Sequence, residues 1–148
     1  MLPFYFLSVA TTLIMGLILT FLDKPKNDDS GEDFYHKILN EKFKKAFDEK
    51  VELEVNLDGP DGYASSFLDE AFGNLVFDFG LKNVKSRVKI ISNEEPEWIE
   101  MIEKETFNEW ERRRTNNQPP KKTAEHEGWW RFDFDKNSTE KQKWIDKQ

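Results

Sequence analysis

The feature that most constrains the fold is a change of hydrophobic period between residues 51 and 79. In "VELEVNLD" (51–58), apolar and polar residues alternate, which is typical of a strand with one face toward solvent. After the turn residues "GPDGY", apolar side chains recur at helical spacing, and Gly80 suits the end of that helix. The helical positions are Leu68, Ala71, Phe72, Leu75, Val76 and Phe79. A strand, a turn and an amphipathic helix in this order predict an α/β fold.

Two more helices are indicated by their starts. Ser30 followed by Asp33 predicts an N-cap with an acidic first turn, opening a helix that runs to about Asp48. Pro96 is favoured in a first turn and begins another helix, which ends at about Trp110. Both segments carry apolar residues on one side, so each helix should bury one face.

A second strand is predicted around "RVKIIS" (87–92). Since a helix separates it from strand 51–58, the two strands should be parallel neighbours joined by a right-handed crossover. The predicted architecture is one α/β domain over residues 30–111, with a small mixed or parallel sheet and helices packed on it. A chain of 148 residues fits one domain of this kind, preceded by a polar linker over 23–29.

The N-terminal stretch, residues 2–22, contains no charged side chain. At ~1.5 Å per residue, a helix of this length crosses a hydrocarbon core of ~30 Å, so residues 1–22 are interpreted as a hydrophobic helix and membrane anchor. Lys24 and Lys26 favour a cytoplasmic location for the domain that they precede. The alternative is that part of the stretch, such as "LIMGLILTFL", is a buried first strand or core helix. We therefore expect a cytoplasmic domain that is either free or anchored in the inner membrane.

The periodic pattern ends before residues 112–148. "RRRTNNQPPKK" carries five positive charges and two prolines and predicts a basic linker. The following "WWRFDFD" alternates aromatic and charged residues, with Trp130, Phe132 and Phe134 on one side. It is interpreted as an added edge strand, a docking peptide for a partner, or an aromatic hook onto its own domain. The segment is otherwise expected to be an irregular C-terminal tail.

Composition excludes several classes of function. The 29 acidic residues outnumber the 22 basic ones, and a net charge of −7 argues against general nucleic-acid binding. The absence of cysteine removes disulfides, thiolate metal sites and cysteine nucleophiles. His36 and His126 do not belong to a metal-spaced cluster. The chain is therefore expected to be no enzyme and to hold no metal or cofactor.

Two adjacent serines mark the predicted junction between strand and helix. Ser65 and Ser66 follow the carboxyl end of the strand, where α/β sheets place their ligands. Ser66 with Asp69 three residues later predicts an N-cap. A phosphoryl group on either serine would be attracted by the helix start and repelled by nearby carboxylates (Asp58, Asp61, Asp69 and Glu70), which suits a switch. A hydrolase is excluded because "YASSF" lacks the G-x-S-x-G turn.

Three segments resemble a known family. "SGEDFYHKIL" (30–39), "VNLDGPDGYASSFLDEAFGNLV" (55–76) and "RVKIIS" (87–92), in this order and spacing, resemble the bacterial STAS-like domain family of unknown function. The resemblance covers about residues 30–107. It implies a fold similar to STAS domains, the anti-sigma factor antagonists.

The resemblance also implies a mode of action. In STAS domains, a serine at the strand-to-helix junction is phosphorylated by a partner, a GHKL-type ATPase kinase. By position, Ser65 or Ser66 would be the phosphoacceptor, although Ala64 stands where the STAS pattern has aspartate. The partner surface would be formed by the surrounding loop and helix start, with Asp58, Asp61, Tyr63, Asp69 and Glu70.

Two other functions remain open from the sequence. The same junction could hold a small anionic ligand or nucleotide without phosphorylation. Alternatively, the protein could be a membrane-tethered scaffold, with residues 1–22 as anchor and 112–148 as docking tail.

Overall fold

The computed structural model contains both helices and strands, and it describes residues 16–20, 30–60 and 62–143. The strands are β1 (Leu17–Thr20), β2 (Leu53–Asn56), β3 (Val88–Ile91), β4 (Trp129–Asp133) and β5 (Ser138–Gln142). Helix α1 comprises Gly31–Phe34, a π-helical Tyr35–Leu39 and Asn40–Glu49. The next helices are α2 (Ser65–Phe79) and α3 (Leu81–Arg87). Helix α4 comprises Glu97–Met101, a π-helical Ile102–Thr106 and Phe107–Thr115.

The central sheet has the order β1-β2-β3 and is parallel throughout. Leu53 pairs with Leu17 on one side and with Val88 on the other, and Val55 with Leu19 and Ile90. The prediction that the two strands are parallel neighbours is therefore confirmed. The period-2 pattern of β2 is confirmed as well, because its alternate apolar residues are buried (Val51, Leu53, Val55 and Leu57).

The core lies where α1 and α2 meet the sheet. Helix α2 is the most enclosed element, and every apolar position that predicted it is fully buried. Helix α1 begins as predicted, since the Ser30 hydroxyl accepts a hydrogen bond from the Asp33 N–H at 3.1 Å. The largest fully buried side chains come mainly from these two helices (Phe34, Tyr35, Leu39, Phe43, Leu68, Phe72, Leu75 and Phe79).

The N-terminal stretch contributes a strand where a helix was predicted. Leu17–Thr20 pairs with β2, Leu19 is buried, and Ile18 is 61% exposed. A single helix over residues 2–22 is therefore wrong for this part, and the alternative of a first strand is confirmed there. A run without charges fits a buried strand as well as a membrane helix, which is why the pattern misled. Residues 1–15 and 21–22 lie outside the described residues.

No helix within the described ranges is long and apolar enough to cross a bilayer. The longest uninterrupted α-helix, α2, has 15 residues. About 20 apolar residues are needed to span the hydrocarbon core of a membrane.

The C-terminal part also differs from the prediction. Helix α4 continues to Thr115, so the three arginines at 112–114 are helical rather than part of a linker. Arg112 pairs with Glu109 and Arg114 with Glu111, which are contacts between neighbouring helix turns. The predicted irregular tail instead contains an antiparallel hairpin of β4 and β5, separate from the central sheet.

The hairpin packs on α1 and α2, which confirms the interpretation of an aromatic hook onto its own domain. Buried polar side chains hold it in place. The Asn40 side-chain amide donates to the Trp130 carbonyl and accepts from the Trp130 N–H, both at 2.9 Å. Arg131 pairs with the buried Asp78 at 3.0 Å, and Tyr35 donates to the same carboxylate.

The segment that leads to the hairpin is held in the same way. The buried Glu32 carboxylate accepts from the N–H and hydroxyl of Thr123 and lies 2.6 Å from His126 Nε2. The His126 ring stacks on the His36 ring with centroids 4.0 Å apart. These contacts make residues 122–133 an integral part of the domain.

Candidate functional site

The two serines open α2, directly after the loop that follows β2. Ala64 is the N-cap residue, with an extended backbone, and Ser65 and Ser66 are the first two helical residues. The predicted N-cap role of Ser66 is therefore wrong. The helix start is set by the Ala64 carbonyl, which accepts from the Phe67 N–H at 3.0 Å and the Leu68 N–H at 3.4 Å.

Both serine side chains are exposed. Within residues 16–20, 30–60 and 62–143, neither hydroxyl has a hydrogen-bond partner. The first N–H groups of a helix lack intrahelical acceptors, and the dipole adds about half a positive charge there. The junction thus presents two hydroxyls beside backbone donors and a positive potential.

Asp58 ties the loop after β2 to the loop after β3. Its carboxylate accepts from the Glu94 N–H at 2.9 Å and from the Asn93 side-chain amide at 3.1 Å. The bond from the Glu94 N–H lowers the pKa of Asp58 below its ordinary value. In return, the Gly59 N–H donates to the Glu94 carboxylate at 3.2 Å. These reciprocal bonds fix the loop that precedes the serines.

Tyr63 stabilises the same loop through a hydrogen bond and ring contacts. Its hydroxyl donates to the Leu57 carbonyl at 2.8 Å, and its ring lies 6.3 Å from that of Phe67 and 6.5 Å from that of Trp98. Partial burial raises the pKa of the Tyr63 phenol, so it remains a hydrogen-bond donor. Asp61, the fifth residue predicted for the partner surface, lies outside the described residues.

Asp69 and Glu70 lie one turn further along α2 and bond within the domain. The Asp69 carboxylate accepts from the Thr106 hydroxyl at 2.9 Å and from the Trp110 indole N–H at 3.1 Å. One oxygen of Glu70 accepts from the Glu32 N–H at 3.2 Å. The structure therefore brings Asp58 and Tyr63 together in the loop that precedes the serines, and it places Asp69 and Glu70 in the lining of a neighbouring cleft.

That cleft was not predicted from the sequence. It lies between α2, the last turns of α4 and residues 120–123, and has a volume of about 270 Å³. Three basic side chains (Arg113, Lys121 and Lys122) and three acidic ones (Glu32, Asp69 and Glu70) line it. The one available signal was the run of basic residues at 112–122, which composition alone assigned to a linker.

In the part of the chain that the structure describes, no group of three or more histidine, aspartate or glutamate side chains could hold a metal ion. Among the described residues, the junction carries the two serine hydroxyls, the carboxylates of Asp58 and Glu94, and the Tyr63 phenol. Its chemistry therefore suits recognition or modification of the serine hydroxyls.

Comparisons with known proteins agree with this organisation. A family model described as a STAS-like domain of unknown function matches residues 30–98. The matched region runs from α1 to the start of α4 and includes the junction, whereas the cationic side of the cleft and the hairpin lie beyond it. No curated protein and no solved structure matches the chain. Over residues 30–98, slightly less than half of its length, the chain is similar to the family of STAS-like domains of unknown function.

Proposed function

We propose that this protein is a non-enzymatic regulatory domain that binds a protein partner through the strand–helix junction. The partner is a GHKL-type ATPase, and Ser65 or Ser66 accepts a phosphoryl group from it. The observation that carries the proposal is the pair of exposed serine hydroxyls at the start of α2, unpartnered among the described residues. We expect the domain to act in the cytoplasm, where such a partner finds ATP.

The poor cap of α2 supports this role. Alanine offers no side-chain oxygen to the first N–H groups of a helix, and an N-cap of this kind is about 1 kcal/mol worse than serine or aspartate. Among the described residues, the N–H groups of Ser65 and Ser66 have no acceptor, whereas the Phe67 N–H donates to the Ala64 carbonyl. The oxygens of a phosphoserine at position 65 or 66 could accept from them and act as the missing cap.

The charges around the serines favour a change of surface over a change of fold. A negative charge at a helix start gains about 0.3–1 kcal/mol. Like charges three or four residues apart on a helix lose about 0.2–0.5 kcal/mol per pair, and Asp69 and Glu70 stand at this spacing from the serines. Because the two effects nearly balance, phosphorylation should leave the domain folded. It should change the charge of the surface that a partner contacts.

The test is phosphorylation of the full chain by purified GHKL-type ATPases with ATP, followed by mass mapping of residues 62–80. We expect one phosphoryl group on Ser65 or Ser66, and its loss in the corresponding alanine variant. Ser86→Ala is the matched control, because Ser86 is also exposed and helical but its hydroxyl donates to the Asn83 carbonyl. Unmodified serines and no complex with any ATPase would contradict the proposal.

A second candidate function uses the same N–H groups. A small anionic ligand could bind at the start of α2 without covalent modification, since the N–H groups of Ser65 and Ser66 have no acceptor among the described residues. In that case, inorganic phosphate or a nucleotide should raise the melting temperature of the chain, and Ala64→Asp should abolish this effect. A junction that serves a protein partner alone should show no such ligand effect.

A further inference from the structure

The charged side chains that line the cleft between α2 and α4 form two groups of opposite sign, here called the acidic wall and the cationic wall. Its charged lining consists of three carboxylates (Glu32, Asp69 and Glu70) and three cations (Arg113, Lys121 and Lys122). The acidic side comes mainly from α2, within the family-matched region, and the cationic side from the end of α4 and residues 121–122. The cleft is complete only because the C-terminal part folds back onto the domain.

The acidic wall keeps capacity to accept hydrogen bonds. Asp69 accepts two bonds and Glu70 one, whereas each carboxylate offers about four lone-pair positions. The second oxygen of Glu70 has no donor among the described residues. Glu32 differs, because Thr123 and His126 already surround its carboxylate. Asp69 and Glu70 are therefore the groups that can receive a ligand cation.

The cationic wall keeps donors. The Arg113 guanidinium lies 4.6 Å from the centre of the Trp110 ring, and its Nε is 3.5 Å from a Glu109 oxygen. Its two terminal nitrogens have no acceptor within the described ranges, and Lys121 is exposed without an ion pair there. Lys122 instead donates to the side-chain oxygen Oδ1 of Asn74 at 2.8 Å. Arg113 and Lys121 are therefore the groups that can receive a ligand anion.

The balance of charge selects the class of ligand. With three negative and three positive side chains, the lining as a whole is neutral. A simple anion would be attracted by Arg113 and Lys121 but repelled by Asp69 and Glu70. A simple cation would be attracted by the two carboxylates but repelled by the two basic side chains. A molecule that carries one charge of each sign gains on both walls. The volume of about 270 Å³ is close to the lower end of the ~300–1,000 Å³ found for small-molecule sites, so the cleft suits a small ligand.

We propose that this cleft binds a small zwitterion of the free amino acid class. The ligand carboxylate bonds to Arg113 and Lys121, and the ligand ammonium bonds to Asp69 and Glu70. Trp110 forms part of the wall between the two sides, fixed by its bond to Asp69 and by the stacked guanidinium of Arg113. Binding here does not require phosphorylation at the junction, so either function can be tested without the other.

The experiment is a screen of the full chain against the twenty standard amino acids by thermal shift, with affinities measured by isothermal titration calorimetry. At least one amino acid should raise the melting temperature. Its N-acetyl derivative and its amide, which each lack one charge, should bind at least about tenfold more weakly. Inorganic phosphate and 1,4-diaminobutane serve as probes with charge of a single sign and should bind more weakly than the amino acid.

Variants separate the two walls. Arg113→Gln and Glu70→Gln should each weaken binding about ten- to hundredfold, the usual loss for one charged hydrogen bond. Glu70→Gln keeps an oxygen that can accept from the Glu32 N–H. Arg112→Gln is the matched control, because Arg112 belongs to the same helix, bonds to Glu109 and Gln118, and does not line the cleft. The proposal is overturned if no amino acid binds, if phosphate or the diamine binds as tightly, or if Arg113→Gln has no greater effect than Arg112→Gln.

Discussion

Gly73 allows the closest contact between α2 and α4. A Cβ atom at this position would lie 2.1 Å from Cε2 and 2.3 Å from Nε1 of Trp110, whereas ordinary contacts begin at 3.4 Å. The ring cannot turn away easily, because it is 4% exposed and its N–H donates to Asp69. Gly73→Ala should therefore force the two helices apart by roughly 1 Å.

The expected cost follows from three contributions. Overpacking of a tight contact costs about 2 kcal/mol. Displacement of Trp110 weakens its bond to the Asp69 carboxylate, which is worth about 2 kcal/mol. Alanine gains about 1 kcal/mol over glycine inside a helix. The free energy of unfolding should thus fall by about 3 kcal/mol.

Urea unfolding followed by far-ultraviolet circular dichroism measures this change. A double-mutant cycle with Trp110→Leu isolates the contact, because the smaller side chain leaves room for the new methyl group. In that background, Gly73→Ala should cost less than about 1 kcal/mol, since only the gain in helix propensity and minor repacking remain. The packing argument is refuted if Gly73→Ala alone is as stable as the wild type, or if its cost is the same in both backgrounds.

Three further predictions test the helix start, a buried carboxyl and the hook. Ala64→Asp should supply the missing cap of α2 and raise the free energy of unfolding by about 1 kcal/mol in urea titrations; a decrease would contradict the assignment of the N-cap. Removal of the carboxyl from water raises the pKa of Asp78 from 3.8 to about 6, although Lys122, Arg131 and Tyr35 act in the opposite direction. The folded chain therefore binds the extra proton, and the stability from this group falls as the pH rises through that window. Relative to the wild type, Asp78→Asn should therefore gain about 1.4 kcal/mol per pH unit between about pH 4 and 6 in urea titrations, whereas a constant difference would refute this. Asn40→Ala removes both hydrogen bonds to Trp130 and should destabilise the domain by about 2–4 kcal/mol. It should also speed proteolysis within residues 122–143. An unchanged rate of proteolysis there would show that these two bonds do not hold the hairpin on the domain.

Local patterns of apolar and polar residues were sufficient to predict β2 and α2, the central elements of the fold. The alternation in β2 and the helical spacing in α2 each follow from the faces that those elements bury, so their residues could be assigned from the amino-acid sequence alone. The cap at Ser30 was predictable for a similar reason, because its partner Asp33 is three residues away. Such signals depend on neighbours within one or two turns of the chain.

Contacts between residues that are far apart in the sequence could not be predicted. Asn40 and Trp130 are 90 residues apart, and nothing near either of them reveals the paired bonds that fix the hook. Similarly, the spacing of Asp69 from Ser66 predicted a capping box. In the structure, the Asp69 carboxylate instead accepts hydrogen bonds from Thr106 and Trp110. Tertiary contacts override a local preference worth about 1 kcal/mol when they offer two charged hydrogen bonds.

The junction was therefore predicted better in position than in detail. The sequence located the serines at the strand–helix transition, and the structure has them there, exposed, at the first turn of α2. The identity of the N-cap residue depends on the backbone geometry of the loop, which the residue types alone do not determine. The cleft depends on the fold of residues 107–123 and could be found only from the structure.

Hydrogen–deuterium exchange of the full chain, with and without a GHKL-type ATPase that binds it, tests the central claim most directly. If the strand–helix junction is the regulatory contact, slowed exchange should concentrate in residues 57–60 and 62–70, the loop after β2 and the first turns of α2. The Asp58 and Tyr63 contacts fix this loop in the unbound domain, so protection there should reflect the partner itself. Protection confined to the hairpin at 129–142 or to β3, with none at the junction, would contradict the account.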